Sequence, residues 1–403
     1  MTGPAAVTKS VTPPGDDASA ASGAAGPVRV ALVLGLATGG SARHTAALAA
    51  GCRAAGQAVC VLGPPEALAF VGADAAIETF AVRIGERPSP ASDLAAIARL
   101  RGRLASWCPD VVHAHGLRAG AFAAIAMTGL VISSAGTSAR RPPALVVTVH
   151  NAPPAGRAGH LVYAMLERVC ARRADLVLCA SDDLAARMHG FRRAEVRQFD
   201  VPAPAAGPPS PAELASARDD VGAAGRPVVL AVARLAQQKG LDVLIEAARR
   251  WQDRDPRPRT VIAGDGPLAA ALRAQASQAP ADVVLLGARQ DVPALLALAD
   301  VVVLPSRWEA RALILQEAMR SGKPIVATSV GGTPGLVGAD TALLVPPDDP
   351  AGLADAVTAL LDDPRLAARL GRAASAASAA FPTEKDAINN AVAIYARLAA
   401  SRS

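Results

Sequence analysis

The sequence predicts an α/β protein built of two parallel-sheet domains facing each other across a cleft, and three observations carry that expectation. Its 403 residues exceed what one core usually holds, so two domains are expected. Short β-rich apolar runs alternate with longer Ala/Leu helical patterns from start to finish, as parallel strands covered by helices on both faces do. The alternation breaks once, at the proline-rich stretch 200–215 (DVPAPAAGPPSPAELA), which reads as a crossing between domains.

Residues 1–27 mix Pro, Gly, Ala, Ser and Thr without periodicity and have no apolar core behind a basic start. They read as an unstructured tail, not a signal peptide. A first domain then spans 28–202, with strands expected at Val28–Leu36, Ala58–Leu62, Val111–His115, Leu145–His150 and Leu176–Ala180. Helical patterns at His44–Ala55, Asp93–Trp107 and Gly159–Arg172 lie between them, and Ser133–Pro143 reads as a surface loop. Residues 203–226 read as the linker. The second domain, 227–380, offers strands at Val228–Ala233, Arg259–Ala263, Val283–Leu286, Val301–Leu304, Ile325–Thr328 and Leu343–Val345. Its clearest helices are Leu241–Trp251 and Leu313–Ser321. Residues 381–403 read as a C-terminal helix packing back toward the first domain.

Composition narrows the function classes. A hydrophobic content of 51% supports full-size cores, while 3% aromatic residues disfavours base-stacking nucleic-acid modules, so no nucleic-acid partner is expected. No apolar run approaches the ~20 residues that span a bilayer, which points to a cytoplasmic protein. The five cysteines show neither CxxC nor metal-ligand spacing and sit in apolar runs, as small hydrophobes do. Charge is uneven: residues 1–202 hold 20 Lys+Arg against 14 Asp+Glu, while the remainder holds 21 of each. All six histidines also lie in the first half. An electropositive first domain suits an anionic acceptor or a membrane surface; a solvated basic face is the plainer reading.

In open parallel sheets the chemistry belongs in the loops after the strands. The first strand ends in Thr38-Gly39-Gly40-Ser41, where adjacent glycines open a helix and suit an anion or simply a tight turn. His113 and His115 share one face of a strand; a strand histidine is more often a satisfied core residue, but His115 stands at the strand's end, where a polar ligand contact suits it. Arg234 and Lys239 flank a loop that opens onto a helix N-terminus, which suits a diphosphate; taken alone, ordinary surface cations are the plainer reading. Gly264-Asp265-Gly266 makes a sharp turn, and Glu309 and Glu317 bracket the start of a helix.

The ordered segments TGGSARH, DVVHAHG, TVHN, ADLVLCAS, VARLAQQKG, AGDGP, LPSRWEARALILQEAM, GKPIVATSVGG and LLVPPDD run from about residue 28 to 360. Together they resemble the retaining glycosyltransferases of family 4, whose GT-B architecture sets two Rossmann-like domains face to face. The resemblance implies transfer from a nucleotide-diphosphate sugar, which is a substrate, with no metal and no cofactor. Arg234 and Lys239 are then implied to neutralise the donor diphosphate, and Glu309 and His115 to contact the donor sugar. Glu317 is implied to hold the ribose hydroxyls, as an ionised carboxylate can. Gly39 and Gly40, with Gly264 and Gly266, would line the donor site. The acceptor is unidentified, anionic or lipid-linked acceptors suiting the basic first domain, with peripheral contact at the inner face of the cell membrane.

The chain departs from the family pattern after Glu309. Members place Gly/Pro-Phe-Gly there, whose backbone amides hold sugar and phosphate; this chain has Ala310-Arg311-Ala312, so Arg311, Ala312 and Leu313 are implied in that place. Were the turn to need a positive φ, an alanine in it would be strained by ~1 kcal/mol or more. The usual glutamate after the SVGG-x-Pro turn is Gly335, and Phe199-Asp200-Val201-Pro202 replaces the common Asn-Gly-Val-Asp. Two other classes stay open on these residues: a nucleotide-sugar epimerase of the same architecture, and a catalytically silent binding or scaffold protein.

Overall fold

A computed structural model of the chain describes residues 27–35, 40–71, 76–85, 88–130, 132–133, 140–151, 157–190, 194–204, 206–279 and 282–402. The expected N-terminal tail up to residue 26, and Gly39, lie outside these described residues.

In the first half β1 (Arg29–Leu34) leads through α1 (Gly40–Ala54) to β2 (Ala58–Gly63), and α2 (Pro65–Leu68) precedes β3 (Glu78–Ala81). Next come α3 (Pro90–Trp107), β4 (Val111–His115), α4 (Leu117–Ala126) and a short antiparallel pair, β5 (Ile132–Ser133) with β6 (Arg140–Arg141). Then β7 (Ala144–Val149), α5 (Arg157–Arg173), β8 (Leu176–Cys179), α6 (Asp182–His189) and β9 (Glu195–Gln198) complete this half. The β5–β6 pair falls within Ser133–Pro143, expected as plain loop; residues 134–139 are outside the description.

The second half opens with α7 (Pro211–Val221), followed by β10 (Val228–Val232), α8 (Leu241–Ala248), β11 (Arg259–Ala263), α9 (Ala269–Gln278), β12 (Val283–Gly287) and α10 (Val292–Leu298). It continues with β13 (Val301–Leu304), α11 (Leu313–Arg320), β14 (Ile325–Thr328), α12 (Thr333–Val337) and β15 (Leu343–Val345). The helices α13 (Pro350–Asp362), α14 (Pro364–Ser378) and α15 (Glu384–Ala400) finish the chain. The linker expected at 203–226 thus holds a helix. Ser210 and Glu213 form a capping box at the start of α7, and Ala217 and Val221 are buried in the second core.

Both sheets are wound the same way. The seven-stranded sheet runs β3-β2-β1-β4-β7-β8-β9 and the six-stranded sheet β12-β11-β10-β13-β14-β15, every ladder parallel. In each, the winding reverses beside the first strand, at β1/β4 and at β10/β13. The loops leaving the carboxyl ends there diverge and open a crevice. All six second-domain strands fall where the apolar runs predict. The first sheet has two further strands, β3 and β9, which are its edges. They are mostly exposed and carry no apolar run for a sequence pattern to show.

Apolar side chains cover both faces of each sheet. Along β4, Val112 and Ala114 join the core under α3 and α4, whereas Val111 joins the opposite core, under α1 and α15. The last helix therefore serves the first domain. Thr383 and Asp386 cap α15, and its Ala387, Ala391, Ile394, Tyr395 and Leu398 are buried against the first sheet. Each large apolar side chain buried this way contributes about 1.5–3 kcal/mol. No helix among the described residues is long and apolar enough to cross a membrane.

Candidate active site

At the second switch point the loops after β10 and β13 are packed backbone to backbone. Gly240 has a left-handed backbone (φ 60°), and a Cβ on it would lie 2.0 Å from the Pro305 carbonyl oxygen. Only glycine fits there, and its place sets Lys239 against the loop after β13. The Gln238 amide donates to the Trp308 carbonyl at 2.8 Å, and the Arg307 N–H donates to the Gln238 carbonyl at 2.8 Å. The Arg307 guanidinium ties this region further, to Asp242 at 2.7 Å and Asp348 at 2.8 Å.

These ties bring together two residues 70 positions apart. Lys239 Nζ lies 2.5 Å from Glu309 Oε1, and the Ser306 hydroxyl donates to the same oxygen at 2.6 Å. Glu309 is 5% exposed, so its carboxylate is held by an ammonium and a hydroxyl in place of water. Arg234 stands exposed in the same loop as Lys239. Gly264 and Gly266 support that loop from below: a Cβ on either would fall 1.9 Å from the Ala233 oxygen or 2.6 Å from the Leu235 oxygen.

The Ala310-Arg311-Ala312 segment avoids the strain that a left-handed turn would cause. Among the described residues the non-glycine positive-φ positions are Cys108, Ala224 and Asp348, none of them in this loop. Ala310 and Ala312 are buried, and Ala312 enters α11 with an extended backbone (φ −72°, ψ 115°). Arg311 pairs with Asp200 at 2.8 Å and lies 5.7 Å from the Phe381 ring. Its guanidinium is thus engaged with both segments where the chain passes between domains. Leu313 is the first residue of α11.

One turn into α11, Glu317 is partly buried. Burial pushes its carboxyl above the ordinary value, opposed by Arg320 and by Arg43 of α1. Beside it the Gln316 side chain accepts from the Ala203 N–H at 3.0 Å and donates to the Val201 carbonyl at 2.9 Å, clamping α11 to the first crossing. The Trp308 indole N–H donates to Asp183 of α6 at 3.0 Å, a further bond between the domains.

At the first switch point, Gly40 opens α1 and His115 ends β4. His115 is 5% exposed, and its Nε2 is buried without a hydrogen-bond partner among the described residues. The His44 ring of α1 lies 6.1 Å away, edge-on, and its Nε2 likewise has no partner among the described residues. Burial lowers the whole imidazole group: His44 and His150 are pushed down to about 4 and His113 to about 3, while His115 falls well below its ordinary value. All four are neutral at pH 7, offering hydrogen bonds without charge. His113 differs from His115 in having both ring nitrogens partnered, as a satisfied core histidine does.

Lys239 and Glu309 therefore meet directly, with Glu317 on the helix that follows and His115 at the first domain's switch point. Sequence reasoning picks none of His44, Ser306, Asp183 or Trp308. His44 sits within TGGSARH and Ser306 and Trp308 within LPSRWE, so their segments were visible but their partners were not. Burial pushes the Cys52, Cys170 and Cys179 thiols up to about 12, which removes them as nucleophiles. Among the described residues no group of three or more His, Cys, Asp or Glu is placed to hold a metal ion.

Comparison with known proteins agrees with the two-domain fold. Residues 226–363 match the family model for glycosyl transferases group 1, and residues 39–202 match a glycosyl transferase 4-like domain. The alpha-D-kanosaminyltransferase of Streptomyces kanamyceticus is 36% identical over 174 residues, 42% of this chain and 45% of that protein. A GDP-mannose-dependent phosphatidylinositol monomannoside mannosyltransferase of Mycolicibacterium smegmatis is 34% identical over 175 residues, 40% of this chain and 46% of that protein. The chain thus spans just under half the length of these two relatives. The glycogen synthase of Mycobacterium tuberculosis is 32% identical over 284 residues, 67% of this chain and 64% of that protein. Among solved structures, Anabaena HepE with UDP and glucose has a TM-score of 0.74 at 20% identity, covering 92% of this chain and 99% of that one. At that identity the likeness speaks for the fold alone.

Proposed function

The chain belongs to the group 1 glycosyl transferases of the family-4 type and has the GT-B fold, and from that premise we propose a retaining, metal-independent transfer of a sugar to an acceptor hydroxyl. The donor is a nucleotide-diphosphate sugar. The observation that carries the reading is the Lys239–Glu309–Ser306 contact at the second switch point. It sets a cation for a diphosphate beside a carboxylate for sugar hydroxyls.

In this reading Arg234 and Lys239 neutralise charge on the departing diphosphate, with the backbone amides of Arg311, Ala312 and Leu313 facing sugar and phosphate. Glu309 accepts from the sugar, Glu317 from the ribose, and the neutral His115 bonds a sugar hydroxyl. The bond from the anomeric carbon to the phosphate oxygen breaks, its electron pair leaving on that oxygen, as the acceptor oxygen bonds to the same face of the anomeric carbon. The acceptor proton passes to the leaving phosphate oxygen. Side-chain cations take the role a metal would otherwise have, and positioning does the rest. The acceptor binds against the first domain, where the positive charge lies. Of the relatives named above, one is a phosphatidylinositol monomannoside mannosyltransferase and one a glycogen synthase, so a lipid-bearing acceptor and a polysaccharide both have precedents. The exposed Leu161 and Met165 of α5, flanked by Arg168 and Arg172, favour a cytoplasmic enzyme lying peripherally on a membrane.

The test is a thermal-shift panel of UDP-, GDP- and ADP-linked sugars, followed by the rate and product anomer with the one that binds. A donor at a hundred times its Kd stabilises by about 2.7 kcal/mol. Lys239→Ala should keep the fold and lose turnover by at least about a hundredfold. Wild-type turnover in that variant, or an inverted product, would sink the reading.

A further inference from the structure

The reaction as derived uses His115 but leaves unexplained the polar column behind it. Tyr395 of α15 is 0% exposed, and its hydroxyl lies 2.5 Å from His113 Nδ1. On the other side His113 Nε2 lies 2.6 Å from the Thr148 hydroxyl of β7. The Tyr395 ring meets His113 edge-on at 5.7 Å, and the His113 ring lies 4.3 Å from that of His115 with planes 33° apart. The column ends at His115 Nε2, buried and, among the described residues, without a partner at the cleft end of β4.

A core of valines and leucines has no need of such a column. Valine at position 113 would fill the strand without hydrogen bonds, whereas buried polar groups cost free energy unless all of them are paired. What the pairing provides is orientation. Neutral His113 has one N–H and one lone pair, and hydroxyls on opposite sides of the ring engage both, which fixes its rotation. A fixed ring 4.3 Å away then restricts how the His115 ring can turn.

We propose that Tyr395 is a positioning residue for the transfer: through His113 it sets the ring plane of His115 and so the direction of His115 Nε2. This rests on the reading of His115 as a contact of the donor sugar. The last helix of the chain thereby becomes part of the first domain's share of the active site.

The experiment uses the full chain labelled with 15N-histidine, comparing wild type with Tyr395→Phe and Thr148→Val. Each substitution removes one hydroxyl and little else. The ring signals of His113 and His115 should move in both variants, while those of the exposed His160 and His189 stay in place. With the nucleotide sugar selected by thermal shift, Tyr395→Phe should lower kcat about tenfold. Affinity for the matching free nucleoside diphosphate, measured by calorimetry, should not change, because that ligand is held by the second domain. Loss of packing alone would instead lower the melting temperature and leave kcat per folded molecule intact. Should Tyr395→Phe fail to fold, Thr148→Val decides. Unmoved His115 signals in the folded variants, or unchanged kcat with moved signals, overturn the proposal. Full turnover in His115→Ala would instead overturn the reading of His115, while the spectra still decide whether Tyr395 orients it.

Discussion

Glu317 shows how one residue can trade stability for binding. Burial raises its carboxyl above the ordinary range, so ionising it in the folded chain is unfavourable. The sign follows from proton counting. Below the unfolded pKa both states are protonated and nothing is lost; as pH rises through the raised folded pKa, the folded state is left with a poorly solvated charge. Glu317→Gln should therefore raise the melting temperature of the nucleotide-free chain at pH 8, and by much less at pH 4.5. The same change should weaken nucleotide affinity about ten- to a hundredfold, the loss of charged hydrogen bonds to the ribose. Calorimetry and thermal melts at both pH values check this, and an unchanged affinity would remove the ribose assignment. Residue identity and spacing were enough to single out Glu309, Glu317 and Lys239. They could not show that Lys239 and Glu309 touch, because 70 residues separate them and the Gly240–Pro305 approach that joins them is a tertiary fact. Nor could they show Arg311 turned to Asp200, since nothing local distinguishes a phosphate-facing arginine from one paired across a domain boundary.

At the scale of the element, β4 is the instructive case. Its apolar run and its terminal histidine were legible in DVVHAHG, whereas Tyr395, 282 residues away, was not. The edge strands β3 and β9 were missed for the opposite reason, having exposed faces and no hydrophobic pattern to read. Gathering imidazoles at β4 has a consequence for acid stability. Unfolded histidines take up protons near pH 6.5, but His44 and His150 resist until about 4 and His113 until about 3. Between those limits the unfolded chain binds more protons, so the stability present above about pH 6.5 is lost as pH falls. The urea midpoint should be lower at pH 5 than at pH 7.5, and equal midpoints would contradict the neutral cluster.

For the whole molecule, charge and surface point the same way. Leu161 and Met165 are 66% and 61% exposed on α5, and Arg157, Arg168, Arg172 and Arg173 are exposed along it. Its single acid, Glu167, is buried and bonded to Arg187 at 2.9 Å. The chain should co-sediment with vesicles containing anionic phospholipid at low salt and be released at high salt. Leu161→Ser with Met165→Ser should weaken that binding, and no sedimentation at low salt would end the membrane proposal. The two-domain plan followed from alternation and length, but the arrangement at the boundary did not, because it depends on how the chain returns. It passes between the domains near Asp200 and again near Phe381, and Arg311 lies against both. Two strands of chain bound along one line act like the spine of a book. A rotation of the halves about that line would give the largest travel at the far lip. Because the loop after β13 itself carries Arg311, that loop sits beside this line, where a swing of the covers would move it least.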